Sequence, residues 1–217
     1  MRKLFCIIML LAISICSIAT PLNVQANELQ YSSSENDNYV VTHITDKDEI
    51  RQYLEDMGEE YDPNLLEVYR FQSESENDDT IINQYNNTRG IFTNEYYIKN
   101  KAVNIITDVN KILKQYNRPA GKVSISETIT ISNIYNLSGK VTVEILESQL
   151  GFNITESKSF KVTWSNTYSH PITIEIYPIY EMTTGVVWED DVFDDDLIGY
   201  FNVKRAIGDD IRVYAQY

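Results

Sequence analysis

Apolar and polar side chains alternate through most of Lys122–Ile176, and a two-residue period is the mark of a half-buried β-strand. In KVSISETITIS, the positions Val123, Ile125, Ile129 and Ile131 are apolar. Ser124, Ser126, Thr128, Thr130 and Ser132 form a row of hydroxyls on the opposite face. Phe152, Ile154, Phe160, Val162 and Trp164 repeat the design, with Asn153, Thr155, Ser157, Ser159 and Thr163 opposite. Between these strands, Asn133–Gly139 reads as a loop, and Val141, Val143 and Ile145 as a short alternating strand. Ile172, Ile174 and Ile176 continue the pattern after a turn at His170-Pro171. Glu127, Glu156 and Lys158 interrupt the apolar faces.

Two architectures fit this pattern. In the first, a sheet sets one face on a core and its Ser/Thr face in water, and the three charges mark bends or a crossing between packing layers. In the second, a hairpin enters a membrane as part of an oligomeric barrel. A spanning strand needs roughly 9–11 residues, apolar outward and polar inward. A charge facing lipid at mid-depth costs about 2–4 kcal/mol, less if Glu127 and Lys158 pair across strands.

Outside this stretch, Thr45–Met57 is predicted as a helix. Thr45 is the N-cap, Ile50, Tyr53, Leu54 and Met57 form the apolar stripe, and Gly58 is the stop. Asp62-Pro63 starts a short turn leading into a strand near Val68–Phe71. Ser73–Thr80 reads as a solvated acidic loop, and Ile81–Gly90 as an Asn-rich segment closing in a turn. Ile91–Ile98 reads as an aromatic-rich strand. Val103–Tyr116 carries both periods and leans to strand. Tyr177–Tyr180 ends a strand and Val186–Trp188 begins another. Gly199–Lys204 and Asp210–Tyr217 read as a final hairpin turning at Ile207-Gly208-Asp209-Asp210. The fold class is therefore mainly β: an antiparallel β-sandwich-like or elongated sheet domain with one or two short N-terminal helices. The predicted organisation is a signal peptide over 1–26, a flexible arm over 27–44, an N-terminal α+β portion over 45–118 and a β-sheet domain over 119–217.

The leader carries Arg2 and Lys3, an apolar run over Leu4–Ile18 and a small-residue exit at Val24-Gln25-Ala26, the layout of a secretory signal cleaved after Ala26. Cys6 and Cys16 both fall within it. The expected mature chain is thus free of cysteine, without disulfides, thiol catalysis or cysteine-held metal. The chain has 18 basic and 32 acidic residues and a net charge of −14. Such a chain repels phosphate backbones, so nucleic acid is excluded as a partner.

Candidate chemistry is sparse. Glu189, Asp190, Asp191, Asp194, Asp195 and Asp196 crowd six carboxylates into EDDVFDDD. Such a cluster is either solvated or a weak Ca²⁺ site, since calcium takes oxygen ligands. Its spacing is not that of an EF-hand loop. His43 and His170 are the two histidines, and both read as surface residues. No nucleophile elbow, HExxH or phosphate loop is present, so the expectation is a non-enzyme. Carboxylate pairs leave a hydrolase as a third reading. The 16 tyrosines and 2 tryptophans suit sugar or protein-surface binding as well as a sheet core.

Pro119–Thr128, Leu150–Ser157, Ile174–Tyr180 and Gly199–Val213 together resemble small exported bacterial β-rich proteins of unknown function. Those proteins carry a Pro-Gly turn before Ser/Thr-alternating strands, then "GFNVT" and "AYPxY" motifs. The EDDVFDDD segment departs from their pattern. The resemblance covers about the last hundred residues; it implies export and β structure and brings no activity and no site residues. The Ser/Thr-alternating region is also similar to that of aerolysin-like pore formers. The resulting expectation is a secreted, non-enzymatic β protein that binds an extracellular polymer or protein, with a small β-pore former, the one reading that involves a membrane, as the alternative.

Overall fold

The computed structural model describes residues 30–33, 39–73, 95–190 and 194–217. The predicted leader, the acidic loop beyond Ser73, the Asn-rich segment over 81–90 and Asp191 lie outside the described residues. Ten strands and two helices are described. The strands are β1 (Gln30–Ser33), β2 (Tyr39–Ile44), β3 (Leu65–Ser73), β4 (Glu95–Thr107), β5 (Lys114–Arg118), β6 (Gly121–Ser132), β7 (Ile134–Leu137), β8 (Ser157–Tyr168), β9 (Ile172–Asp190) and β10 (Asp195–Ala215). The helices are α1 (Lys47–Asp56) and α2 (Val143–Leu150). The fold is mainly β and antiparallel throughout.

A seven-stranded sheet is built on β9 and β10, which pair from Asp190–Asp195 to Ile172–Ala215. At about 3.3 Å per residue, the 21 residues of β10 extend roughly 70 Å. At one end the strand order is β2-β3-β10-β9, with β5 also on β9; at the other, β4 pairs β9 and β7 pairs β10. Strands from 45–118 and from 119–217 therefore share one sheet, and the predicted boundary at 118/119 falls in the short connection between β5 and β6. A second sheet, ordered β1-β8-β6, lies over the β2–β3 end.

Alternation explains the sandwich. Val123, Ile125, Ile129, Ile131, Phe160, Val162 and Trp164 are at most 4 % exposed. They pack on Tyr69, Phe71, Ile172, Ile174, Ile176, Tyr180, Ile211 and Val213 of the long sheet. Each such side chain contributes about 1.5–3 kcal/mol by leaving water. The helices cover the other face of the long sheet: Ile50 and Leu54 of α1 pack on Leu65 and Val68, and Leu146 and Leu150 of α2 pack with Val187 and Val203.

Several expectations are corrected. Asp46, not Thr45, caps α1, accepting from the Asp48 and Glu49 N–H groups at 2.9 and 3.2 Å. Val143–Leu150 is a helix rather than a strand: Thr142 caps it, and Gly151 ends it at φ 77°. Ile134–Leu137, read as loop, pairs with β10. Phe152 and Ile154 precede β8 and pack beside α2. Gln30–Ser33 and Tyr39–Ile44, placed in the flexible arm, are strands paired to β8 and β3.

The largest correction concerns Ile207–Asp210, which is not a turn. β10 runs straight through it with a bulge between Ala206 and Gly208. A Cβ on Gly208 would sit 1.8 Å from the Phe71 carbonyl oxygen, so this glycine serves a close backbone approach inside a sheet. The β6–β8 register runs unbroken past Glu127 and Lys158. Glu127 faces Lys114 of β5 at 4.0 Å rather than Lys158, and burial with the nearby Glu127 carboxylate pushes the Tyr116 hydroxyl up to about 12. Glu156 lies just before β8 begins, and the Lys158 ammonium sits 6.0 Å from the Phe160 ring.

Candidate functional site

The outer face of β6–β8 is set by register. Lys122↔Thr167, Ser124↔Ser165, Ser126↔Thr163, Thr128↔Lys161, Thr130↔Ser159 and Ser132↔Ser157 are directly opposed. These six pairs contain ten hydroxyls and two lysines, and no carboxylate, in a chain with 32 acidic residues. Thr130 and Ser159 hydroxyls lie 2.9 Å apart, the Ser157 hydroxyl donates to Ser132 at 2.8 Å, and Ser126 and Thr163 are 3.4 Å apart. The row is exposed along β6 and half-buried to exposed along β8. Hydroxyls both donate and accept, so the face can bond to a partner of either kind.

This layer is tied to the long sheet through Glu67 of β3. Its carboxylate accepts from the Asn166 side-chain amide of β8 at 2.9 Å and from the Tyr69 hydroxyl at 2.5 Å, with His43 Nε2 of β2 at 3.2 Å. Burial works to raise the Glu67 pKa. Hydrogen bonds from His43, Tyr69 and Tyr168 and the adjacent His43 ring more than offset this, holding the carboxyl below its ordinary value. The His43 ring stacks on Tyr69 at 4.0 Å. His43 remains exposed, as expected, and its contacts with Glu67 and Tyr69 lie within the long sheet. His170 sits at a turn, its Nδ1 2.9 Å from the Ser169 hydroxyl.

A second polar group fastens α1. Arg212, nearly buried, makes a two-pronged contact with Glu59 at 2.6 and 2.8 Å and reaches Asp210 at 3.3 Å. The Tyr53 hydroxyl of α1 donates to Asp210 at 2.6 Å. Asp210 and Arg212 sit on β10 between sheet and helix, and each carboxylate–guanidinium contact answers a charge removed from water.

The predicted calcium ligands fall at the far end of the β9–β10 pair. Asp190 opposes Asp195, and Glu189 opposes Asp196, so the two pairs point to opposite faces. Asp195 accepts from the Tyr97 hydroxyl and lies 3.6 Å from Lys99 Nζ; Asp194 accepts from the Asp195 N–H at 3.0 Å. Among the described residues, no three carboxylates gather as a metal cage. Glu95, Tyr96, Tyr97, Asp190 and Asp195 line an open recess of about 210 Å³ there.

Neither a protein-family model nor a curated protein matches this chain.

Proposed function

We propose that the protein is an exported, non-enzymatic binding protein whose β6–β8 face docks an extended, neutral polymer. The observation that carries this reading is the contrast across one pair of strands. The inner apolar side chains are fixed in a core, and the outer ones are a carboxylate-free lattice of ten hydroxyls and two lysines. Along a strand the hydroxyls recur about every 6.6–6.8 Å and across strands about every 5 Å. A polymer bearing hydroxyl or amide groups meets donors and acceptors at each repeat. A neutral partner also avoids the repulsion that the net charge of −14 imposes on anions.

The test is retention of the chain over 27–217 on a panel of insoluble neutral polymers, cellulose and chitin among them. The Ser126→Glu, Ser159→Glu double variant loses retention while its Tm stays unchanged. Failure of the unaltered chain on every polymer, or equal retention of the variant, overturns the reading.

One observation favours a second reading, the small pore former. β6 and β8 are 12 residues each and pair with β1 and with each other, not with the long sheet. That length meets the roughly 9–11 residues of a spanning strand. In this reading the layer leaves the core, its apolar face turns to lipid and its hydroxyls line a lumen. It requires dye release from vesicles together with detergent-resistant oligomers; stable monomers without leakage contradict it.

A further inference from the structure

Beyond the three-stranded layer, the same face of the long sheet continues at the β4–β9–β10 end, where none of the described strands or helices packs over it. Register arranges nine residues there as three rows of three. Glu95, Asp190 and Asp195 form the outermost row; Tyr97, Trp188 and Leu197 the second; Lys99, Val186 and Tyr200 the third. Directly opposed residues share a face, so all nine point the same way. The opposite face, with Ile98, Val187 and Ile198, is occupied by the α2 core. Leu197 is 47 % and Tyr200 58 % exposed, and Tyr97, Trp188 and Val186 are half-buried beside them, so the second and third rows form an aromatic ledge.

The chain itself displays what this ledge holds. The Lys99 ammonium lies 4.3 Å from the centre of the Trp188 ring, 5.0 Å from that of Tyr97 and 3.6 Å from the Asp195 carboxylate. Aromatic faces attract cations through their quadrupole, guanidinium better than ammonium because it also stacks flat. The Tyr97 hydroxyl donates to Asp195, which orients that carboxylate. Glu95 and Asp190 stand beside Asp195 and extend the negative field over the 210 Å³ recess. Only Lys99 answers the three carboxylates among these nine residues.

We propose that this ledge is a docking site for arginine side chains of a basic protein segment, with Lys99 as the resident competitor. The incoming guanidinium stacks on Trp188 and Tyr97 and pairs with Asp195, and Lys99 swings into solvent. The site is separate from the hydroxyl face: Asn133, next to Ser132 at the near end of that row, accepts from the Ala206 N–H at 2.8 Å, and Tyr180 opposite Ala206 is eight residues, roughly 26 Å at strand spacing, from Trp188, so both surfaces can be filled at once.

The test uses tryptophan fluorescence, because the chain has 2 tryptophans and Trp164 is 0 % exposed. A change on adding ligand therefore reports Trp188. The probe is a tetra-arginine peptide, with tetra-glycine and cellohexaose as controls. The expected result is a saturable change with tetra-arginine alone, weakening as salt rises. Lys99→Ala tightens binding about threefold or more by removing the competitor, an effect in the range of an exposed cation–aromatic contact. Lys47→Ala, the same charge change on exposed α1, leaves affinity unaltered. Trp188→Ala removes the binding heat seen by calorimetry at unchanged Tm. No response to tetra-arginine, equal tightening by Lys99→Ala and Lys47→Ala, or an equal response to cellohexaose overturns the proposal.

Discussion

Asn166 of β8 donates to the Glu67 carboxylate of β3 at 2.9 Å, joining the two layers of the sandwich through a polar contact. Because this carboxyl is held below its ordinary pKa, its ionised form stabilises the folded state above the unfolded value of about 4.3, and the contribution is lost as pH falls through the folded value. Glu67→Gln is expected to cost roughly 1.5–3 kcal/mol at pH 7, the range for hydrogen bonds to a charged group. Urea titrations of both proteins at pH 7 and pH 3 check this. The stability gap narrows at pH 3, and an equal gap at both pH values is the contrary result.

Arg212 to Ala leaves the Glu59 and Asp210 carboxylates facing each other without their shared cation. Asp210 is fully buried, so the expected cost is about 3–5 kcal/mol. Lysine recovers only part of it, because the two-pronged contact with Glu59 needs a guanidinium. Denaturant midpoints of the alanine and lysine variants measure the order, alanine lowest.

Gly208→Ala places a methyl against the Phe71 carbonyl and is expected to cost at least about 3 kcal/mol, since β3 and β10 must part there. Thr142→Ala, which removes the cap of α2, is expected to cost about 0.5–2 kcal/mol. Thermal melts of the two variants separate a backbone clash from a lost cap by size.

The strands with clean alternation were legible because burial on one face writes a period of two into the residues. β6 and the core half of β8 followed directly from Val123 to Ile131 and Phe160 to Trp164. α2 was misread because Val141, Val143 and Ile145 alternate by chance. The stronger signals were the Thr142 cap, Leu146 and Leu150 four residues apart, and Gly151 as the stop. Gly208-Asp209-Asp210 has turn composition, yet both aspartates are fully buried in β10. Only the neighbouring strand, far away in sequence, explains the glycine. The aromatic ledge was invisible for the same reason: Tyr97, Trp188 and Leu197 become neighbours through the registers of three strands. The hydroxyl row needed no partner strand to be seen, and its exposure is as expected from the alternation.

The claim that the β6–β8 pair works as a docked layer, presenting hydroxyls while its apolar face stays on the core, has one direct measurement. Trp188→Phe leaves Trp164, in the middle of that core, as the sole tryptophan. The variant over 27–217 is mixed with dye-loaded vesicles containing brominated lipid, and tryptophan quenching and leakage are followed together. A docked layer gives unquenched Trp164 and no leakage. Quenching of Trp164 that rises in step with dye release would show the layer leaving the core for lipid, and would contradict the account.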